Sequence, residues 1–385
     1  ETLPRVPDRL DQLSVLIDPA WIAQALQASG KATIRRRKLP AEHAVWLVIG
    51  LALFRDRPLW QVVQQLDLSL DGQAPPAPSV SVQARQRLGE EPLAELFALL
   101  TQAWSRPAVN VRQPLRVLAV DGVVWSAPDT PENRVELGSC SNQHGLSPWP
   151  QIRATCLMDT HSHEMLDAKL GAMDCGELSL AAQLRGEDHS VTLFDRAYFS
   201  AAFLLDWQAA GTQRHWLMRA RDNLRHEIVQ QLACGDALIR MPVSPQARKA
   251  HPHLPSHWQA RLIEVSVGGR LRRFITSLLC PRTHPAQELA ELYHQRWRIE
   301  EAFKRLKHRA KLESVSGLSQ HALLVDVFAK VLADNLGALV CQAASENARL
   351  LSRQRTCNRA YAAPCLQRLL PRMVMGWGCL SALLG

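Results

Sequence analysis

The sequence predicts an α/β protein: a mixed sheet flanked by helices, carrying a β-rich insertion and preceded by an all-helical domain. Three observations predict it. Apolar residues recur at helical spacing through most of residues 1–107. Between 112 and 221, short apolar runs of strand length alternate with helical stretches, the rhythm of a sheet covered by helices. From Pro285 to the end, residues 285–385, the pattern is helical again.

The elements follow in order. Asp18-Pro19 has the chemistry of a helix start, a capping acid before a first-turn proline, and Gly30 marks a helix end. Pro40 opens a second apolar helix and Pro58 a third. A turn-rich stretch at 71–79 separates these from two amphipathic segments over about 80–104. A cationic cluster, Arg35, Arg36, Arg37 and Lys38, lies between the first two helices. It reads either as a phosphate contact or as a solvated loop. In the second region LRVLAV is a strand ending at Asp121-Gly122. Residues 151–159 and 164–171 are strands joined by a turn, and 176–186 is a helix closed by Gly186. SVTLFD is a strand ending in Asp195, residues 200–211 form a helix, and 215–220 a strand. Residues 222–284 break this rhythm. They are polar, then rich in Pro and His, then form a hairpin about Gly268-Gly269.

Bulk properties narrow the function classes. The 385 residues carry 45 Lys and Arg against 36 Asp and Glu, so the net charge is +9. That balance favours a polyanionic partner, though charge alone is equally compatible with an ordinary basic protein. Nine cysteines are scattered singly, with no C-x-x-C pair. A disulfide framework or zinc site is not indicated, and a cytoplasmic location is expected. The start is polar, unlike a signal peptide. The apolar run 44–54 is too short to span a bilayer, and 325–343 is interrupted by Asp326, Lys330 and Asp334, so no membrane partner is expected. His161-Ser-His163 and His251-Pro-His253 lack a third ligand at metal-site spacing and read as turn residues. There is no phosphate-binding G-x-x-x-x-G-K-[ST] and no G-x-S-x-G nucleophile elbow.

The residues left to carry chemistry are acidic. Asp121 and Asp195 each close a strand, where the crevice of an α/β sheet lies. A helix from Pro285 to about Ser314 supplies a third acid. At about 100° per residue, Tyr293, Arg296, Glu300 and Lys307 fall in one wedge of roughly 60° beside the apolar stripe. On geometry alone this is either a salt-bridged helix surface, with Arg296 and Glu300 an i,i+4 pair, or one wall of a site.

The spacing of Tyr293, Arg296, Glu300 and Lys307 resembles the signature of the insertion sequence 4 family of DDE transposases. The contexts VLAVDGVVW around Asp121 and FDRAYFS around Asp195 are similar to that family as well, as is the N-terminal stretch from Arg35 to Leu68. The resemblance covers nearly the whole chain. It implies a ribonuclease H-like catalytic fold, with Asp121, Asp195 and Glu300 holding two Mg²⁺ ions, for which Mn²⁺ can substitute. It implies phosphate contacts by Tyr293, Arg296 and Lys307, with Arg196 beside them. The implied partner is double-stranded DNA, at terminal inverted repeats and at a target, bound by a homodimer. The apolar helix near 320–345 is the expected subunit interface. An aromatic residue of the insertion would stack on a flipped base; Trp258 and Phe274 are the candidates, each with a core role as the alternative. Two other readings remain open: a transposase-derived DNA-binding protein without catalysis, and a nuclease of the same fold that cuts without joining.

Overall fold

The structure is a computed structural model that describes residues 17–32, 39–54, 57–65, 77–104, 115–142, 145–315 and 317–350. Its helix α1 (Pro19–Ala28) begins where the sequence places it. The Asp18 carboxylate accepts the Ala20 N–H at 2.8 Å, which satisfies one of the free donors of the first turn. Helices α2 (Ala41–Leu53), α3 (Leu59–Gln65), α4 (Pro78–Leu88) and α5 (Glu91–Trp104) complete the first segment. The cationic cluster Arg35, Arg36, Arg37 and Lys38 lies outside the described residues.

Strand β1 (Arg116–Ser126) is followed by α6 (Pro131–Leu137) and the two-residue strands β2 (Ser141–Asn142) and β3 (Gly145–Leu146). Then come β4 (Gln151–Asp159), β5 (Met165–Gly171), α7 (Glu177–Ala181), β6 (Ser190–Phe194), α8 (Ala201–Ala209) and β7 (Arg214–Arg219). The insertion contributes β8 (Glu227–Ala233), β9 (Asp236–Pro242), α9 (Pro245–Ala250), β10 (His257–Val267) and β11 (Arg270–Thr276). Helices α10 (Ala286–His294), α11 (Trp297–Lys304) and α12 (Gln320–Leu350) follow.

One nine-stranded sheet runs in the order β5-β4-β1-β6-β7-β11-β10-β9-β8. Strands β1, β6 and β7 are parallel, while β4 and β5 pair antiparallel on one side. That is the ribonuclease H-like arrangement. The insertion does not form a separate sheet, because β11 pairs antiparallel with β7 and carries the remaining strands outward. Gly268 and Gly269 turn its hairpin, both at positive φ. Arg261 on β10 is fully buried and makes a two-pronged pair with Asp236 on β9, at 2.7 and 2.6 Å. Its remaining donor bonds the His284 carbonyl at 2.7 Å, tying the insertion to the loop that enters α10.

Three elements differ from their expected bounds. Strand β1 does not end at Asp121 but pairs with β4 through Ser126, because antiparallel backbone bonds continue whatever the side-chain polarity. The helix expected over 176–186 is only five residues of α-helix, with Leu184 still buried in the turns that follow. The single helix expected from Pro285 to Ser314 is three pieces. At Gln295–Ile299 the N–H groups bond three residues back, and Arg305–Arg309 form a π-helical turn closed by Ala310 N–H to Arg305 C=O.

Two apolar clusters cover the sheet. On one face α8 packs its Phe203, Leu204 and Trp207 on β6 and β7. On the other, α10, α11 and α12 join the N-terminal helices in a single cluster. Trp258 and Phe274 are both buried, Trp258 against Trp216 and Phe274 against Tyr293, so neither is placed to stack on a base. The apolar side chains of α12, Val325, Phe328, Leu332, Leu336 and Leu339, are buried inside the chain. They are therefore already covered and do not form an exposed dimer face. Two of the charges that interrupt this helix are buried too: Asp326 pairs with Arg85 of α4 at 3.1 Å, and Lys330 Nζ donates to the Ser314 carbonyl at 2.7 Å. Among the described residues no helix is long and apolar enough to cross a membrane.

Candidate active site

The parallel register sets the first two acids side by side. Arg116 pairs with Ser190 and Ala119 with Leu193. The same offset carried two residues further brings Asp121 of β1 level with Asp195, the residue after β6. Asp195 leaves the sheet there with the end of β6, while Asp121 stays in β1, which continues paired to β4. Asp195 caps the following 3₁₀ turn, Arg196–Tyr198, and its Oδ1 accepts the Arg196 N–H at 2.6 Å. Asp121 accepts the Gly122 N–H at 3.0 Å.

The third acid arrives with an arginine. Arg296 stands at the tightened turn between α10 and α11, 8% exposed. Its Nη1 bonds Asp121 Oδ2 at 2.8 Å and its Nη2 bonds Glu300 Oε1 at 2.9 Å. One guanidinium thus joins a strand residue to a helix residue far along the chain, and the i,i+4 pair expected on a helix surface is one arm of a buried bridge. Arg296 Nε has no hydrogen-bond partner. Burial alone would lower the Arg296 pKa, but the neighbouring Tyr293 and the carboxylates of Asp121, Asp195 and Glu300 leave it raised. Asp195 is therefore within electrostatic reach of the same guanidinium.

Asp121 bears the cost of this crowding. Burial pushes its carboxyl up to about 6, and Arg296 and the Gly122 N–H offset part of that. The negative charges of Glu177 and Glu300 push it up further. Glu177, the first residue of α7, is an acid the sequence reading passed over. Its signal was weak, because a lone Glu opening a short helix is common. The Tyr198 hydroxyl donates to Glu177 Oε1, and the carboxylate rests on the bare Cα of Gly122.

The remaining predicted residues are less closely gathered. Tyr293 is buried, its ring on Phe274 and its hydroxyl donating to the Phe194 carbonyl at 3.2 Å. Burial raises its pKa to about 12. In this conformation it props the end of β6. Lys307 lies in the π turn and pairs with Glu313 at 3.3 Å, while Glu313 also accepts the Ser126 N–H at the end of β1. Arg196 is exposed, 3.8 Å from Asp222. Trp297, exposed beside Arg296, is a further surface aromatic that helix spacing alone did not single out.

As the side chains stand, no three Asp, Glu, His or Cys residues among those described converge closely enough to hold a cation. The donor chemistry nonetheless fits a hard divalent ion. Carboxylate oxygens from β1 and α11 bond one cationic centre, with Asp195 within electrostatic reach of it, and such oxygen donors suit a hard divalent ion.

Residues 7–98 match the model of the insertion element 4 transposase N-terminal region, and residues 112–336 match the transposase DDE domain. Transposase InsG for insertion sequence element IS4, from Escherichia coli strain K12, is 36% identical over 333 residues, which is 85% of this chain and 75% of that protein. Among solved structures, the cryo-EM structure of the piggyBac transposase synaptic complex with hairpin DNA matches with a TM-score of 0.44 at 9% identity, covering 97% of this chain and 82% of that one. That likeness is too slight to transfer any feature. The two family matches, end to end along the chain, and the InsG identity make this protein a member of the insertion sequence 4 family of DDE transposases, metal-dependent enzymes of phosphodiester hydrolysis and transesterification.

Proposed function

We propose that this transposase binds the terminal inverted repeats of its element as a homodimer, nicks the DNA at each end, and joins the freed end to target DNA. Asp121, Asp195 and Glu300 would hold two Mg²⁺ ions, with Mn²⁺ able to substitute. The observation that carries the reading is the buried Arg296 bridge, which draws Asp121 and Glu300 together beside Asp195. Two such ions stabilise the attacking and leaving oxygens of an in-line displacement. The chain itself does the positioning. With its carboxylate partners engaged elsewhere, Arg296 has a full fork of donors for a phosphate, and its Nε is already unpaired. Lys307, a point charge, and Arg196, a fork of donors, lie on flanking turns and would face the backbone of the DNA. The 3′-hydroxyl freed by the nick would attack the opposite strand to close a hairpin, which is then reopened before strand transfer. Tyr293, held on the Phe194 carbonyl, keeps the Asp195 turn in place. The N-terminal helices and the basic residues Arg35–Lys38 would supply end recognition.

The test is cleavage of a labelled duplex carrying the element's own end, with Mg²⁺, by wild type and by Glu300→Ala. Cutting at the end by wild type, and binding without cutting by the variant, is the expected result. On a denaturing gel, hairpin closure gives a snap-back species. If both proteins bind and neither cuts with Mg²⁺ or Mn²⁺, the chain is a DNA-binding protein only. Cutting without joined products would make it a nuclease of the same fold.

A further inference from the structure

The strand register carries the β10–β11 hairpin past the level of the acids. β6 and β7 pair Phe194 with Met218, and the same offset sets Asp195 level with Arg219. Arg219 pairs in turn with Phe274 of β11, and Phe274 with Ile263 of β10. Arg272 lies two residues beyond Phe274 toward the hairpin turn and Arg270 four, about 7 and 14 Å further out at about 3.4 Å per residue. The neighbouring strands do not follow. β7 last reaches β11 through the Ala220 N–H, which donates to the Arg273 carbonyl at 3.0 Å. The β8–β9 turn reaches only Glu264, whose N–H donates to the Gly235 carbonyl at 2.6 Å. Past those bonds, among the described residues, β10 and β11 pair only with each other. Gly268 and Gly269 close the turn, with open space where a Cβ would stand.

Side chains alternate along a strand, so Arg270 and Arg272 share the face of Phe274, whose ring lies on Tyr293 of α10. That is the side of the sheet on which α10 and α11 bring Arg296 and Glu300 to the site. Opposite the two arginines stand Val267 and Val265, not acids. Arg270 is exposed and Arg272 half-buried, and among the described residues neither has an ion pair. Arg273 points to the other face and pairs there with Glu264 at 2.9 Å. The hairpin thus neutralises its charge on one face and leaves it open on the face of the site. Unpaired arginines on a projecting two-stranded ribbon suit the phosphates of a nucleic-acid backbone.

We propose that the β10–β11 hairpin is an arm that holds duplex DNA, with Arg270 and Arg272 on backbone phosphates. β11 lies two strands from β6, about 10 Å, so Arg270 stands roughly 17 Å from the level of Asp195, a span of about five base pairs. The arm rests on the DNA-cleavage reading above. The experiment uses the full chain and a labelled duplex carrying the element's own end. The double variant Arg270→Ala, Arg272→Ala is compared with Arg270→Lys, Arg272→Lys. A control, Arg248→Ala with Lys249→Ala, removes two exposed charges from α9, at the opposite end of these strands. Affinity is measured against salt concentration, and the complexes are footprinted with hydroxyl radicals. In the hairpin alanine variant we expect binding roughly tenfold weaker or more, and a salt slope smaller by about 1.8, about 0.9 for each lost phosphate contact. Protection about five base pairs from the cut is lost with it. The lysine pair keeps the slope, the α9 variant matches wild type, and all thermal midpoints stay near that of wild type. A wild-type slope in the hairpin alanine variant, or an equal fall in the α9 variant, overturns the arm; cutting at the end by wild type then leaves the cleavage reading standing. A changed oligomeric state with the slope intact makes the tip a protein contact and overturns the arm as well. If wild type neither binds nor cuts the duplex, both readings fall.

Discussion

Asp121 shows at the scale of one residue how a site stores cost. Its carboxyl titrates near 6 in the fold and near 3.8 when unperturbed. A folded-state value above the unfolded one means that the fold holds the extra proton between those values. Stability is therefore lost as pH rises from about 4 to about 6 and stays lost above that. Replacing Asp121 by Asn removes the titration. In the metal-free chain we expect Asp121→Asn to be more stable than wild type by about 1–2 kcal/mol at pH 8, and no more stable at pH 4, read from urea midpoints at the two pH values. Equal differences at both would show that burial of this carboxyl costs nothing. This residue and its partners were only partly legible in the sequence. Asp121, Asp195 and Glu300 stood out through motif context. That Arg296 would spend its donors on two of them did not, because helix spacing gives the i,i+4 neighbour and says nothing about a strand packed opposite. Glu177 was invisible for the same reason: its relation to Asp121 exists only through the slot at Gly122.

At the scale of elements, the straight-helix projection failed in an instructive way. It assumed one constant turn angle from Tyr293 to Lys307. The tightened turn at Gln295–Ile299 and the π turn at Arg305–Arg309 change the phase on either side of α11. Tyr293 consequently faces the core and Lys307 faces Glu313, while Arg296 and Glu300, close together in sequence, still point to one place. Strand order was legible where apolar runs were short and bounded by turns. The length of β1 was not, because Asp121-Gly122 reads as a turn, while Val123 and Trp125 beyond it carry the strand on against β4. The insertion hides its anchor as well. Arg261 gives no sign in the sequence of being fully buried, yet it links β9, β10 and the approach to α10. Arg261→Lys cannot supply the planar fork. We expect it to lower stability by about 3 kcal/mol or more in chemical denaturation, since Asp236 would be left buried and poorly paired. A loss below about 1 kcal/mol would mean the anchor is not the arginine.

At the scale of the whole molecule, the N-terminal helices and the catalytic sheet share one apolar cluster, with α12 between them. The Arg85–Asp326 pair lies inside that contact, each side chain 8% exposed. Removing one partner leaves a buried charge. We expect Asp326→Leu to destabilise the chain by about 3–5 kcal/mol, and the further change Arg85→Met to restore most of the loss; a double variant no better than the single one would argue against the pairing. Composition could not reveal that α12, last in order among the described helices, completes the core of the N-terminal helices. That shared core bears on modular exchange. A chimaera that took residues 1–107 from a relative would set a foreign helical surface against Val325, Phe328 and Leu332, which were shaped for α2 and α5. The N-terminal helices are thus not a detachable cartridge. To move them between relatives without a mismatched seam, α12 has to travel with them, and any shift of those helices is felt directly behind the helix that carries Glu300.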